Sequence, residues 1–376
     1  MEKIILEETK YDRAERITWW NQEKLRSARV LVVGAGALGN EIVKNITLIG
    51  VGHCTLVDMD SIEFSNLSRG VFFREGDEGQ FKSQIVATRA MELNPDIEVN
   101  PLTCSIQSLG DAFLAKFNLI IAGLDNREAR VWIGAAAQRA GVVWIDAAIE
   151  GLQGKVQTFV PGGACYACTL NESDWKIISH RRACSLLGID EILSGHVPTN
   201  ATTSSIIAGV QAQEAVKYLV EHDRFYALEN KMWSMFGEDM TTFKTDFAKS
   251  DECPYHYDVV KVTESLVLKN TLLATFGDEK YEVVSFFDDV ILISGCSTCK
   301  SGLKFGFKDL MKKQGTCDKC GAELQVDLYS RFAGDDECLN IKLNPDFWPQ
   351  TFFGEVEYST NSIKSITINK ESNAHD

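Results

Sequence analysis

The chain has 376 residues, 45% hydrophobic and 24% charged, enough for two domains or one large domain with an appendage. Lys and Arg total 38 against 53 Asp and Glu, a formal net charge of -15, which argues against nucleic acid or an anionic membrane as the main partner. The opening MEKIILEETKYDRAER carries no apolar signal core and no apolar run reaches the roughly 18 residues of a membrane helix, so a cytoplasmic protein is expected.

Residues 29–60, RVLVVGAGALGNEIVKNITLIGVGHCTLVDMD, predict a βαβ unit. VLVV is uniformly apolar, as in a parallel strand buried on both faces. Gly34, Gly36 and Gly39 form GxGxxG. Leu38, Ile42, Ile46 and Ile49 follow at helical spacing, and Gly50 suits the helix end. CTLVD is a second strand, leading to Asp58. Glycines at this place let backbone N–H groups approach a phosphate at a helix N-terminus, and Asp58 is suited to a ribose. Alone, the unit says nucleotide and leans towards NAD.

The next stretch does not fit a dehydrogenase. SIEFSNLSRGVFFREGDEGQFKSQ brings Asn66, Arg69 and Lys82 close in sequence, and polyphosphate needs such donors. FNLIIAGLDNREAR is a third buried strand followed by Asp125, Asn126 and Arg130. An Asp beyond the C-terminal end of a parallel strand stands at the ligand crevice and, beside a triphosphate, is a natural magnesium ligand.

In this order the glycine motif, VDMD, SNLSR, GQFK and LDNREAR resemble the adenylation domain of ubiquitin-activating enzymes and of the ThiF/MoeB adenylyltransferases, over roughly residues 11 to 257. The resemblance implies a Rossmann-like α/β fold with a mostly parallel sheet. It implies ATP rather than NAD, and transfer of AMP to the C-terminal carboxylate of a ubiquitin-like protein. Asp58 would bind ribose, Asn66, Arg69 and Lys82 the phosphates, and Asp125 magnesium. YDRAERITWW resembles the family's opening motif, whose Arg, Arg13 here, reaches the nucleotide of the partner subunit; a homodimer is therefore expected.

Eleven cysteines in a reducing compartment are not expected to form a disulfide framework. Cys54, Cys104 and Cys338 read as small core hydrophobes. PGGACYACTL supplies Cys165 and Cys168, and DECPYH supplies Cys253 and His256. The family pairs a CxxC at the first place with a second one past the last helix of the adenylation domain. The resemblance thus implies a closed, structural zinc site of three Cys and one His, His256 replacing the usual fourth Cys. Cys296, Cys299, Cys317 and Cys320 read CxxC-x17-CxxC, a zinc spacing in its own right.

Between the half-sites of the first cluster lies a polar segment holding Cys184, flanked by His180, Arg181 and Arg182, in a crossover region of about 169–203. Thioester-forming members of the family place their nucleophile in this region, and the adjoining arginines favour a thiolate. A helix follows from Ser204. In the last third, YDVVKV, YEVVSFF, DVILIS and AELQVDLYS read as strands and FKDLMKK as a short helix. Residues 258–350 are expected to form a smaller β-rich, zinc-ribbon-containing module that docks a conjugating enzyme, with 351–376 a tail. A sulfur-transfer adenylyltransferase without a conjugating partner, or a non-catalytic subunit, are the competing readings.

Overall fold

The computed structural model describes residues 9–175, 199–220, 228–256, 258–276, 281–293, 304–311, 326–333, 336–358 and 363–370, with isolated residues of the loops between 294 and 325.

Among the described residues the first sheet has eight strands: β1 Arg29–Val33, β2 His53–Val57, β3 Glu98–Leu102, β4 Leu119–Ala122, β5 Trp144–Glu150, β6 Gln153–Phe159, β7 Lys231–Phe236 and β8 Thr241–Asp246. Their spatial order is β3-β2-β1-β4-β5-β6-β7-β8. The first five are mutually parallel and the last three are added antiparallel. Helices α1 Asp12–Glu15, α2 Gln22–Ser27, α3 Ala37–Ile49, α4 Lys82–Leu93, α5 Ile106–Leu109, α6 Asp111–Leu114, α7 Arg127–Ala140 and α8 Ala201–Leu219 belong to this part.

Both faces of the sheet are covered, which is why its central strands are apolar without alternation. Val30 and Val32 pack with Ile42, Val86 and Ile207 of α3, α4 and α8 on one face. Leu31 and Val33 pack with Leu109, Leu114 and Ile133 of α5, α6 and α7 on the other. The helix ends are written in the sequence. Gly50 and Gly141 close α3 and α7 at φ of 83° and 70°, while Asn126 and Asn200 cap the starts of α7 and α8.

The second part consists of β9 Glu264–Leu268, α9 Leu272–Phe276, β10 Tyr281–Ile293, β11 Lys304–Phe307, β12 Val326–Ala333, β13 Thr351–Tyr358 and β14 Ile363–Lys370. The strand order is β11-β10-β13-β14-β9, with β12 also paired to β10. Its core is a cluster of Phe286, Phe305, Phe307, Phe332, Trp348 and Phe352, in which Phe307 meets Phe352 edge to face at 5.0 Å between centroids. Each such pair contributes about 0.5–1.5 kcal/mol beyond its buried area.

Four expectations differ from the structure. The tail expected over 351–376 contains β13 and β14, both inside the sheet; Phe352, Val356, Ile366 and Ile368 are buried in its core, and this burial offsets the entropy of ordering them. YEVVSFF and DVILIS are one strand, β10, with a register shift between Ser285 and Val290. YDVVKV forms no strand among its described residues, and among the described residues of FKDLMKK, Lys308–Leu310 form a 3-10 turn where a short helix was expected.

The two parts are joined by charge as well as by chain. Arg139 of α7 is 1% exposed; its Nε meets Asp111 at 2.7 Å and its Nη2 meets Asp288 at 3.4 Å. Asp111 also accepts the Phe353 N–H at 2.9 Å, and Trp132 donates to Asp288 at 3.2 Å. Among the described residues no helix is long and apolar enough to cross a membrane.

Candidate functional site

The strand order reverses direction between β1 and β4, and the crevice beyond their C-terminal ends is where an open parallel sheet takes its ligand. Register lines up three loops there. Val33 pairs with both Val57 and Ala122, so Gly34, Asp58 and Gly123 leave the sheet side by side. Gly34 donates to the Val57 carbonyl at 2.9 Å and Gly123 to Val33 at 3.1 Å.

The glycines of the first loop have different reasons. Gly34 sits at φ 96° against the Gly123 carbonyl, and a side chain on Gly39 would strike the Gly34 carbonyl. Gly36 is different: nothing lies within 4 Å of where its Cβ would be. Packing thus demands Gly34 and Gly39, whereas Gly36 borders open space at the start of α3. That is the cradle a phosphate needs at a helix N-terminus. Asp58 closes the loop from β2, accepting Ala35 N–H at 2.6 Å and Asp60 N–H at 2.8 Å. Burial pushes its carboxyl up, while those two N–H groups and Lys82 pull it back.

Lys82, at the first position of α4, is paired with Asp60 at 3.0 Å. Asn66 ends a 3-10 turn and accepts the Glu63 N–H at 3.1 Å, and the Arg69 guanidinium donates to the Ser65 carbonyl at 3.0 Å. The structure therefore brings Lys82 to Asp58 through Asp60, while Asn66 and Arg69 hold their own loop. Asp125 is exposed between β4 and the Asn126 cap of α7. Arg13 is exposed in the last turn of α1. Cys184, with His180, Arg181 and Arg182, lies outside the described residues.

Three buried groups shape the crevice: Asn40 and Gln211, which the sequence did not single out, and Arg130, noted in the sequence but given no role there. Asn40 donates to the Ala35 and Gly36 carbonyls and accepts the Phe72 N–H at 3.0 Å, tying the glycine loop to the loop bearing Arg69. Arg130 pairs with Asp146 at 3.1 Å and donates to the carbonyls of Leu124 and Ala147, supporting the Asp125 loop from inside the protein. Gln211 of α8 donates to the Ala122 carbonyl at 2.9 Å. A polar residue on the buried stripe of a helix was the available signal at positions 40 and 211.

The first cysteine cluster is assembled from two distant segments. Cys165 Sγ lies 3.8 Å from Cys168 Sγ and 3.5 Å from Cys253 Sγ, and Cys168 Sγ lies 2.9 Å from His256 Nε2. A tetrahedron of thiolates about 2.3 Å from zinc has edges of about 3.8 Å, so the donor set and spacing fit that ion. Tyr255, inside the second segment, stacks at 5.7 Å on Trp175, the last described residue before the Cys184 stretch. Asp174, next to it, pairs with Arg127 of α7 at 2.6 Å. In the second cluster the ligand atoms of Cys296, Cys299, Cys317 and Cys320 lie within 4.8 Å of one another, and Gly321 turns at φ 70° just after Cys320. The Cys299 N–H points to Cys296 Sγ at 3.4 Å, as in a metal knuckle. Cys54 and Cys338 are buried, and burial pushes the Cys54 thiol up to about 12; Cys104 is half-buried.

The family model described as ThiF family matches residues 9–255. The NEDD8-activating enzyme E1 catalytic subunit of Caenorhabditis elegans is 34% identical over 182 residues, covering 43% of this chain and 42% of that protein. The SAMP-activating enzyme E1 of Haloferax volcanii is 30% identical over 234 residues, covering 62% of this chain and 82% of that protein. Among solved structures, E. coli MccB with AMPCPP and MccA superposes with a TM-score of 0.55 at 22% identity, covering 67% of this chain and 75% of the other, which speaks to fold alone. The chain spans less than half the length of the Caenorhabditis relative.

Proposed function

The chain belongs to the ThiF family, and on that premise we propose that it activates a ubiquitin-like protein, moving AMP from ATP onto its C-terminal carboxylate with release of pyrophosphate. The observation that carries this reading is the glycine loop at the switch point, packed shut at Gly34 and Gly39 and open at Gly36. Backbone N–H groups there would bind phosphate, and Asp58 the ribose. Asn66, Arg69 and Lys82 would neutralise the triphosphate, with Lys82 leaving Asp60 to do so. Asp125, exposed at the mouth, would hold magnesium, whose charge would offset that of the phosphates. Such a step needs positioning and electrostatic stabilisation rather than a protein nucleophile.

The activated carboxylate would then pass to Cys184 as a thioester, and from there to a conjugating enzyme docked on the second sheet. Two chains would form a homodimer, each supplying Arg13 to the other's nucleotide. Zinc at both cysteine clusters would be structural, because each set of four ligands leaves no open position. A cytoplasmic setting suits free thiols and ATP.

The test is ATP–pyrophosphate exchange with a small ubiquitin-like protein ending in glycine as the acceptor. Asp125→Ala should abolish exchange; an unchanged rate removes its role. Cys184→Ala should keep exchange and lose the reductant-sensitive conjugate on a non-reducing gel. If the wild-type chain exchanges but never forms that conjugate, transfer to a sulfur donor replaces the thioester reading.

A further inference from the structure

We infer that Tyr11 and Asn94 are positioning residues that lock the N-terminal segment at the edge of the sheet opposite its own glycine loop, so that Arg13 can serve only a second copy of this chain. The inference rests on the reading of Arg13 given above and adds what holds it in place.

Helix α1 spans four residues and buries none of them. Its capping residue Tyr11, however, is 7% exposed. The Tyr11 hydroxyl accepts the Asn94 side-chain N–H at 2.8 Å, and the same amide donates to the Thr47 carbonyl at 2.7 Å. The Asn94 oxygen takes the Asp96 N–H at 3.2 Å and the Lys10 ammonium. Asn94 is 4% exposed, and every hydrogen-bonding position of its side chain is used within one small joint. The ring of Tyr11 lies against Gly50, where any side chain would overlap it. Lys10 adds an exposed ion pair to Asp96 at 2.7 Å.

All these partners stand at one end of the molecule. Gly50 and Thr47 are at the C-terminal end of α3, while the glycine loop is at its N-terminal end. Thirteen residues of α-helix separate the two, about 20 Å at 1.5 Å per residue. Asn94 and Asp96 precede β3 at the N-terminal edge of the parallel strands, whereas the ligand crevice is at their C-terminal edge. Two residues beyond Tyr11 add at most about 7 Å of backbone. Anchored in this way, the segment presents Arg13 outward and away from its own phosphate cradle.

Binding of mant-ATP and mant-AMP to the full chain tests this without an activated substrate. Asn94→Ala and Tyr11→Phe should weaken mant-ATP roughly tenfold and about fivefold, the loss of a charge-assisted and of a neutral contact, and leave mant-AMP within about twofold. Each variant is then mixed with an Asp58→Ala chain, whose own nucleotide site is disabled but whose Arg13 is intact. Exchange of subunits is verified with two affinity tags. One tight mant-ATP site per mixed dimer is expected. If Arg13→Ala chains are rescued in this mixture and Asn94→Ala and Tyr11→Phe chains are not, the two residues act on their own subunit and the inference falls. Wild-type mant-ATP affinity in both variants overturns it as well. If Arg13→Ala is itself not rescued by exchanging chains, the action of Arg13 across subunits fails and takes the inference with it. Should Asn94→Ala not fold, Tyr11→Phe alone decides, since it removes a single hydroxyl.

Discussion

Arg139 and Asp111 form an ion pair of 2.7 Å that is almost wholly buried, 1% and 3% exposed, and it sits where the two sheets meet. Asp111 is held on its other oxygen by the Phe353 backbone, so one carboxylate ties α7 to β13. Arg139→Ala would leave Asp111 and Asp288 without their cation. Breaking a buried pair from one side costs about 3–5 kcal/mol. Urea unfolding should show that loss, with earlier proteolytic release of the C-terminal part; an unchanged midpoint would show that the joint is held by other contacts.

Asp288 gives the joint a pH dependence. Burial pushes its carboxyl up to about 6, against the pull of Arg139 and with the added push of Asp111 and Asp309. A folded value above the unfolded one means that the protonated form is favoured in the native state. The stability this provides is complete below the unfolded pKa of about 4 and is lost as pH rises through about 6. Asp288→Asn should therefore gain on the wild-type chain between pH 4 and 7, by about 1–3 kcal/mol, and run parallel to it above. Thermal unfolding of both proteins across that range checks the sign; a difference independent of pH refutes it.

Gly36 and Gly39 separate ligand binding from folding. Gly36→Ala meets no atom in the protein, so its melting temperature should stay within a few degrees of wild type while ATP affinity drops at least about tenfold, because the methyl takes the approach of the phosphate. Gly39→Ala must push the Gly34 backbone aside and should lower stability by about 1–3 kcal/mol before any nucleotide is added. Scanning fluorimetry with and without ATP distinguishes the two. Equal behaviour would mean that the loop has no open side.

Purified chain should carry close to two zinc ions, and removal should act on different regions. Loss of the Cys165, Cys168, Cys253 and His256 site by His256→Ala should increase proteolysis near Trp175, which rests on Tyr255 between two ligands. His256→Cys keeps four donors and should retain both metals. Elemental analysis reads this directly, and fewer than one zinc in wild type would remove both sites.

The sequence by itself determined the elements whose causes are local. The apolar run 30–33, the helical spacing from Leu38 to Ile49, the left-handed glycine at 50 and the asparagine cap at 126 each specify their structure within a few residues. The second cysteine cluster belongs with them, its ligands lying within 25 residues of chain. Tertiary structure alone decided the rest. Residues 351–376 read as a tail because a strand that completes a sheet is recognisable only by its neighbours, β10 and β9, which are far away in sequence. Asn40, Asn94, Arg130 and Arg139 carry ordinary polar side chains whose meaning comes from burial beside carbonyls and carboxylates brought from elsewhere. A polar group out of water must find its partners, and the partners of these four lie as far as 32, 83, 17 and 149 positions along the chain.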